Sequence, residues 1–227
     1  MEDDGDPVKG LERNPEPPRS TYLIPEQIER LLGAIADHPD QVAANALRLL
    51  LLTGARSSEV FRATWSEFDL TTGTWTKPIT KQGTEHRVPL SQEACEMLVG
   101  MRSSPDARDS STTSIFVFPA AKGGGPLKTV RHDWAAICKA AKLEGVRVHD
   151  LRHSYASLLA SAGLSLPIIG ALLGHRQAST TFRYAHLLDK PLREATGRVG
   201  AVIRAAETGR SGEVVEMLPR GHKQVTS

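Results

Sequence analysis

The segment His149-Asp150-Leu151-Arg152-His153-Ser154-Tyr155 carries the densest chemistry in this 227-residue chain. At helical spacing, positions 149, 152 and 153 fall on one face at a helix N-terminal end. A guanidinium and two imidazoles there suit an anion, phosphate above all, because unpaired backbone N–H groups and the helix dipole add to the side-chain donors. On the other side Leu151, Tyr155, Leu158, Leu159 and Ala162 form an apolar stripe, so the polar trio is predicted to face a cleft or solvent. His149 and His153 also have the i, i+4 spacing of zinc peptidases. Asp150, however, stands where a glutamate follows the first histidine in those enzymes, and Arg152 between the two imidazoles would repel a cation. A metal site is the weaker reading.

Three further segments bear on the same chemistry. Upstream, Thr53-Gly54-Ala55-Arg56-Ser57-Ser58-Glu59 places an arginine directly after the end of an apolar helix. Downstream come Leu173-Gly174-His175 and Thr180-Thr181-Phe182-Arg183-Tyr184-Ala185-His186. Singly, an exposed arginine, a capping histidine and a packed tyrosine are ordinary structure; together and in this order they are highly specific. With them the chain resembles the tyrosine recombinases, the family of phage integrases and related site-specific DNA recombinases, from about residue 22 to residue 195. The pattern has Arg56 and Glu59 in a Thr-Gly-x-Arg-x-x-Glu segment, Lys81 in a β-hairpin and the His-x-x-Arg box at His149 and Arg152. The Leu-Gly-His box gives His175, and Tyr184 follows it by nine positions.

The resemblance implies that Tyr184 attacks a DNA phosphorus, leaving a 3′-phosphotyrosyl link and a free 5′ hydroxyl, and that a second DNA end then attacks that link. The link conserves the phosphodiester energy, so no metal, ATP or other cofactor is called for, and stepwise exchange would pass through a Holliday junction. Elementary chemistry fits these roles. The transition state gains charge on its non-bridging oxygens, and Arg56 and Arg152 can each offer paired donors where a lysine would fit less well. A phenol with a pKa of about 10 needs a cationic pocket or a base before it becomes a nucleophile, and His149 is the candidate base. By resemblance His175 adds a hydrogen bond to the phosphate and Lys81 protonates the departing 5′ oxygen. Glu59 is expected to orient its neighbours, and His153 to support them. Tyr155 reads as core.

The elements that must position these groups are mostly helical. Ile28, Leu31, Leu32 and Ile35 recur at helical spacing from Pro25 to about Asp37, and a second helix, nearly all apolar, runs from a cap at Asp40 to Gly54. Trp75, Thr76 and Ile79, then Arg87-Val88-Pro89-Leu90, predict two short strands around Lys81-Gln82-Gly83-Thr84. Ser91 caps a helix with Ala94, Met97 and Leu98. Residues 103–113 read as a mobile loop, 115–118 as a short strand, and Thr129 as the cap of a helix to about Lys142. From Asp150 almost to Ala206 the chain reads as helical, broken at Gly163, at Gly174 and after His186. The predicted fold class is mainly α with a small antiparallel β-sheet (α+β), the tyrosine recombinase catalytic-domain fold by resemblance. The predicted organisation is a flexible, acidic, Pro-rich arm over 1–20, a catalytic domain over 21–206 and a tail over 207–227.

Composition narrows the setting. With 40% apolar and 24% charged residues the chain can bury a substantial core, and its longest apolar stretch is far too short to span a bilayer. The acidic N-terminus is unlike a secretory signal, which points to the cytoplasm. Cys95 and Cys138 have no CxxC spacing and read as buried thiols. The formal charge is only +2, but residues 1–20 hold six acids against three bases while residues 121–153 hold seven bases against three acids. That basic stretch suits double-stranded DNA.

The resemblance further implies a homo-oligomer on DNA, a tetramer in the synaptic complex, with the Val214–Leu218 patch of the tail docking on a neighbouring protomer. Family members usually carry a helical clamp domain ahead of the catalytic one. Only the acidic arm precedes the match here, so weak, strongly salt-dependent DNA binding is expected. The rival readings are a type IB topoisomerase, which would relax supercoils without recombining, and a non-catalytic DNA-binding regulator, which would be indifferent to Tyr184→Phe.

Overall fold

The apolar run after Asp40 builds the hydrophobic core that extends to Leu151. In the computed structural model, which describes residues 21–78, 85–103 and 114–207, helix α2 spans Gln41–Thr53 and buries Ala43, Ala44, Ala46, Leu47, Leu49, Leu50 and Leu51. The Asp40 carboxylate accepts from Ala43 N at its start, and Gly54 closes it in the left-handed region (φ +60°), donating to the Leu50 carbonyl. Helix α1 (Pro25–Ala36) packs Leu31 and Ile35 against this core, with proline in its first turn. The arm over 1–20, Lys81 and its turn, most of the Ser103–Thr113 loop and the Val214–Leu218 patch lie outside the described residues.

A short helix α3 (Ser57–Phe61) follows Gly54, then a 3-10 turn at Trp65–Glu67 and a three-stranded antiparallel sheet in the order β1 (Phe68–Asp69), β2 (Thr74–Lys77), β3 (His86–Pro89). The predicted hairpin is β2 and β3, registered Trp75 to Val88 and Lys77 to His86; the third strand went unpredicted because it is only two residues long. Alternation along β2 turns Trp75 and Lys77 inward. The strand predicted over 115–118 is reduced to a single bridge between Phe116 and Thr64, since the partner chain turns into its 3-10 segment at Trp65 and leaves nothing further to pair.

Helix α4 (Gln92–Ser103) is capped by Ser91 Oγ, which accepts from Ala94 N, and buries Ala94 and Leu98. Helix α5 (Arg131–Ala140) begins two residues after Thr129 and buries Trp134, Ile137 and Cys138. Burial pushes the Cys138 thiol up to about 11, which makes it an inert core group. Helix α6 covers Asp150–Ser161.

By internal compactness the chain divides inside α6, one unit ending at Tyr155 and the next beginning at Ala156. The second unit contains α7 (Leu166–Leu173), α8 (Ala178–Phe182), a 3-10 turn at Ala185–Leu188 and α9 (Asp189–Glu207), so the breaks predicted near Gly163, Gly174 and His186 are all present. No helix among the described residues is long and apolar enough to cross a membrane. The fold is mainly helical with a small antiparallel sheet.

Candidate active site

In the first unit the site is organised around the end of α2. Thr53 Oγ1 donates to the Leu49 carbonyl and accepts from Ala55 N, which tightens the turn through Gly54. Arg56 therefore leaves the core at a fixed point, and its side chain stands half-exposed. Three residues on, Glu59 grips it twice: Oε2 accepts from the Arg56 backbone N–H at 3.0 Å, and Oε1 accepts from Arg56 Nη1 at 2.8 Å. Glu59 thus holds both the backbone and the guanidinium of Arg56.

The second arginine arrives from α6. Asp150 Oδ2 accepts from Arg147 N at 2.8 Å at the start of this helix, so the residue that spoils the zinc-peptidase pattern is a helix-start carboxylate. Arg152, only 5% exposed, donates from Nη1 to the Gly54 carbonyl at 2.6 Å, across 98 positions of sequence. Ser154 secures the same turn from below: its Oγ donates to the Asp150 carbonyl and accepts from Leu23 N, both at 2.8 Å. His149 lies just ahead of α6 and is exposed, while His153 is buried, and their rings meet edge to face with centroids 4.9 Å apart. The predicted division of α6 into a polar and an apolar side is not what the structure has. Residues 150–154 are buried on every side, whereas Leu158 (43% exposed) and Ala162 are out in solvent and Tyr155 is half-buried.

One residue of this cluster escaped the sequence reading. Lys77, at the inward-facing end of β2, is 6% exposed and donates from Nζ to Glu59 Oε2 at 2.7 Å, with its ammonium 4.6 Å from the centre of the Trp75 ring. Burial raises the Glu59 carboxyl, but the charge and hydrogen bond of Lys77 and the donors of Arg56 outweigh it and hold the group at about 2. Burial in turn pulls the Lys77 ammonium below its ordinary value; Glu59 opposes this, and the Arg152 and Arg56 charges reinforce it. The signal that would have found Lys77 is the period-two pattern itself, which puts residue 77 on the same face as the core residue Trp75.

In the second unit, the left-handed Gly174 (φ +66°) ends α7 and delivers His175, whose N–H donates to the Gly170 carbonyl at 2.9 Å. Its Nδ1 is hydrogen-bonded to Thr181 Oγ1 at 2.8 Å. Thr181 is buried, and its Oγ1 would lie 3.0 Å from a Cβ placed on Gly170, so the absence of a side chain at 170 is what lets α7 and α8 approach. Tyr184, two residues beyond the end of α8, is 5% exposed and donates its N–H to the Thr181 carbonyl. Thr181 thus touches both the predicted histidine and the backbone of the predicted nucleophile. The structure brings together Arg56, Glu59 and Arg152 in the first unit and links His175 to Tyr184 through Thr181 in the second.

The sequence model of the Phage integrase family matches residues 21–190. The chain belongs to the phage integrase family. It is 30% identical to tyrosine recombinase XerA of Pyrococcus furiosus over 193 residues, covering 82% of this chain and 65% of that protein. It is 31% identical to tyrosine recombinase XerD of Vibrio cholerae over 184 residues, covering 76% of this chain and 59% of that one. Among solved structures, the XerH site-specific recombinase in a post-cleavage complex with a palindromic difH substrate superimposes with a TM-score of 0.65 at 25% identity, covering 78% of this chain and 52% of that one. The chain therefore spans between half and two thirds of the length of these members of the phage integrase family.

Proposed function

We propose that this member of the phage integrase family is a site-specific recombinase acting on double-stranded DNA in the cytoplasm, cleaving and rejoining strands through a 3′-phosphotyrosyl intermediate on Tyr184. The observation that carries the reading is the pairing of two anchored arginines: Arg56 fixed by Glu59, and Arg152 fixed by the carbonyl of the turn from which Arg56 emerges. Two guanidiniums referenced to one rigid turn form a donor array ready for the charge that develops on a phosphoryl group, with little reorganisation at the moment of reaction.

In this mechanism Tyr184 Oη attacks phosphorus and the P–O5′ bond breaks, the electron pair leaving on the 5′ oxygen. Arg56, Arg152 and His175 bind the non-bridging oxygens. His149 accepts the phenolic proton, and Lys81 supplies one to the leaving oxygen. Reversal with a different 5′ hydroxyl completes exchange. His153, packed edge to face on His149, supports the base. We further propose assembly of several copies on DNA. Leu192, Val199, Val202 and Ile203 of α9 are each more than half exposed, and these apolar side chains support such contacts.

The test is a suicide substrate whose nicked strand lets the 5′ product diffuse away. A covalent adduct mapped to the Tyr184 peptide, absent in Tyr184→Phe, is the expected result; adduct formation that survives Tyr184→Phe would refute the assignment. Supercoil relaxation without recombinant products would move the chain to the topoisomerase class.

A further inference from the structure

The strongest unassigned feature is the buried ammonium of Lys77. It lies four residues before Lys81 and takes none of the roles given above. A lysine buried to this degree gives up hydration that a salt bridge seldom returns as net stability, so an apolar residue would serve the core as well or better. What an apolar residue could not do is donate to Glu59 Oε2, as the Lys77 ammonium does. With Lys77 and the Arg56 backbone on Oε2, and the Arg56 guanidinium on Oε1, both carboxylate oxygens are committed and the carboxylate plane cannot turn. Lys77 itself is held. Its ammonium rests on the Trp75 ring, which stacks on Phe68 at 5.0 Å and donates from Nε1 to Glu67 Oε2 at 3.0 Å. A continuous set of contacts thus runs from the small sheet through Lys77 and Glu59 to the half-exposed guanidinium of Arg56.

We propose that Lys77 is a positioning residue for phosphoryl transfer, acting through Glu59 to hold the Arg56 guanidinium in the orientation that binds the scissile phosphate. This rests on the recombinase reading above. Without Lys77, Oε2 keeps only the backbone N–H, the carboxylate can rotate, and the guanidinium follows it. A misplacement of about 1 Å at a charge-binding group costs on the order of a hundredfold in rate.

The experiment uses the full chain with Lys77→Met, Lys77→Arg, Glu59→Gln and the Glu59→Gln/Lys77→Met double variant. Adduct formation on the nicked substrate is measured in a single turnover, and DNA affinity separately. Lys77→Met is expected to slow adduct formation by roughly 10- to 100-fold while changing affinity by less than about 3-fold. Lys77→Arg is expected to recover part of the rate. Because the effect passes through Glu59, the double variant is expected to be no slower than Glu59→Gln alone; a further loss in the double variant means that Lys77 acts on the DNA directly and overturns the proposal. The double variant also removes both members of the ion pair, so it reports even where Lys77→Met folds poorly.

A second readout needs no activity. The Glu59 carboxyl carbon, followed by NMR, is expected to titrate at about 2 in the parent chain and to move up in Lys77→Met. An unchanged Glu59 titration overturns the proposal. If the parent chain forms no adduct with DNA, the recombinase reading fails with it, and the NMR titration still decides whether Lys77 holds Glu59.

Discussion

Arg152 and Gly54 are joined by a 2.6 Å hydrogen bond from Nη1 to the carbonyl oxygen, a link between the first turn of α6 and the residue that caps α2. It makes the left-handed turn at Gly54 the common reference for both arginines, since Arg56 leaves the same turn two residues later. The bond fixes the orientation of the planar guanidinium relative to that turn, which a lysine with a single ammonium cannot reproduce.

Arg152→Lys is therefore expected to keep the charge and lose the geometry. Adduct formation should fall by about 10²- to 10³-fold, the usual loss when one preorganised donor is removed from developing transition-state charge, with a much smaller change in DNA affinity. Arg152→Ala should in addition strip the Gly54 carbonyl of its partner and lower stability by about 1–3 kcal/mol, measured by urea denaturation. Equal rates for parent and Arg152→Lys would mean that the fork is not at the phosphate.

Gly170 makes a comparable demand on the second unit. Gly170→Ala puts a methyl group 3.0 Å from Thr181 Oγ1, a buried atom that can yield only by disturbing the Thr181–His175 hydrogen bond. The expected result is a loss of about 1–3 kcal/mol in stability together with slower cleavage, since overpacking moves the group that orients His175. Thr181→Val should slow cleavage too, by removing the hydroxyl from His175 Nδ1. The check is thermal melting beside the single-turnover assay. A fully active Gly170→Ala protein would show that His175 does not depend on this packing.

How much of this was legible from residue order alone differs between elements. Helices α1, α2 and α4 were readable because caps and apolar periodicity coincide: Asp40 and Gly54 bracket α2, and Ser91 starts α4. The boxes around Arg56, His149, Arg152, His175 and Tyr184 pointed to the family because chemistry-bearing residue types stand together in a fixed order. Lys77 was legible only in part: the period-two pattern puts it on the face of Trp75, but a lysine in a strand ordinarily points to water, and the tertiary position of Glu59 is what makes an inward ammonium tolerable. The two-residue strand β1 carries too little pattern to detect. The apolar stripe expected along α6 is absent because its first turn is enclosed all round: Arg152 and Ser154 are buried with hydrogen bonds made inside the fold, a compensation that hydrophobicity does not encode.

Glu59 also sets an acid limit. Its carboxyl lies at about 2 in the folded chain against an ordinary 4.5, so the folded state binds its proton more weakly than the unfolded state does. The stability this confers is fully present above about pH 4.5 and is lost as pH falls toward 2. The unfolding free energy, followed by denaturant titration from pH 6 to about pH 2, should fall more steeply for the parent chain than for Glu59→Gln, by up to about 2–3 kcal/mol at the acid end. Parallel curves would mean that Glu59 is not held by Lys77 and Arg56 in solution.

The last expectation concerns α9. Leu192, Val199 and Ile203 follow one another at intervals of seven and four, with Val202 beside them, so the four exposed apolar groups lie along one stripe of a 19-residue helix. Such a stripe carries a hydration cost unless another surface covers it, and the assembly proposed on DNA supplies one. Val199→Asp/Val202→Asp should leave the isolated chain nearly as stable as the parent, within about 0.5 kcal/mol per site, because both positions face solvent. On a DNA carrying two binding sites, the same variant should lose the larger complexes seen by sedimentation with the parent, while complexes with a single site persist. Desolvating two buried carboxylates at a protein contact is costly enough to disrupt it. Undiminished multimer formation by this variant would place the contact between copies elsewhere on the chain.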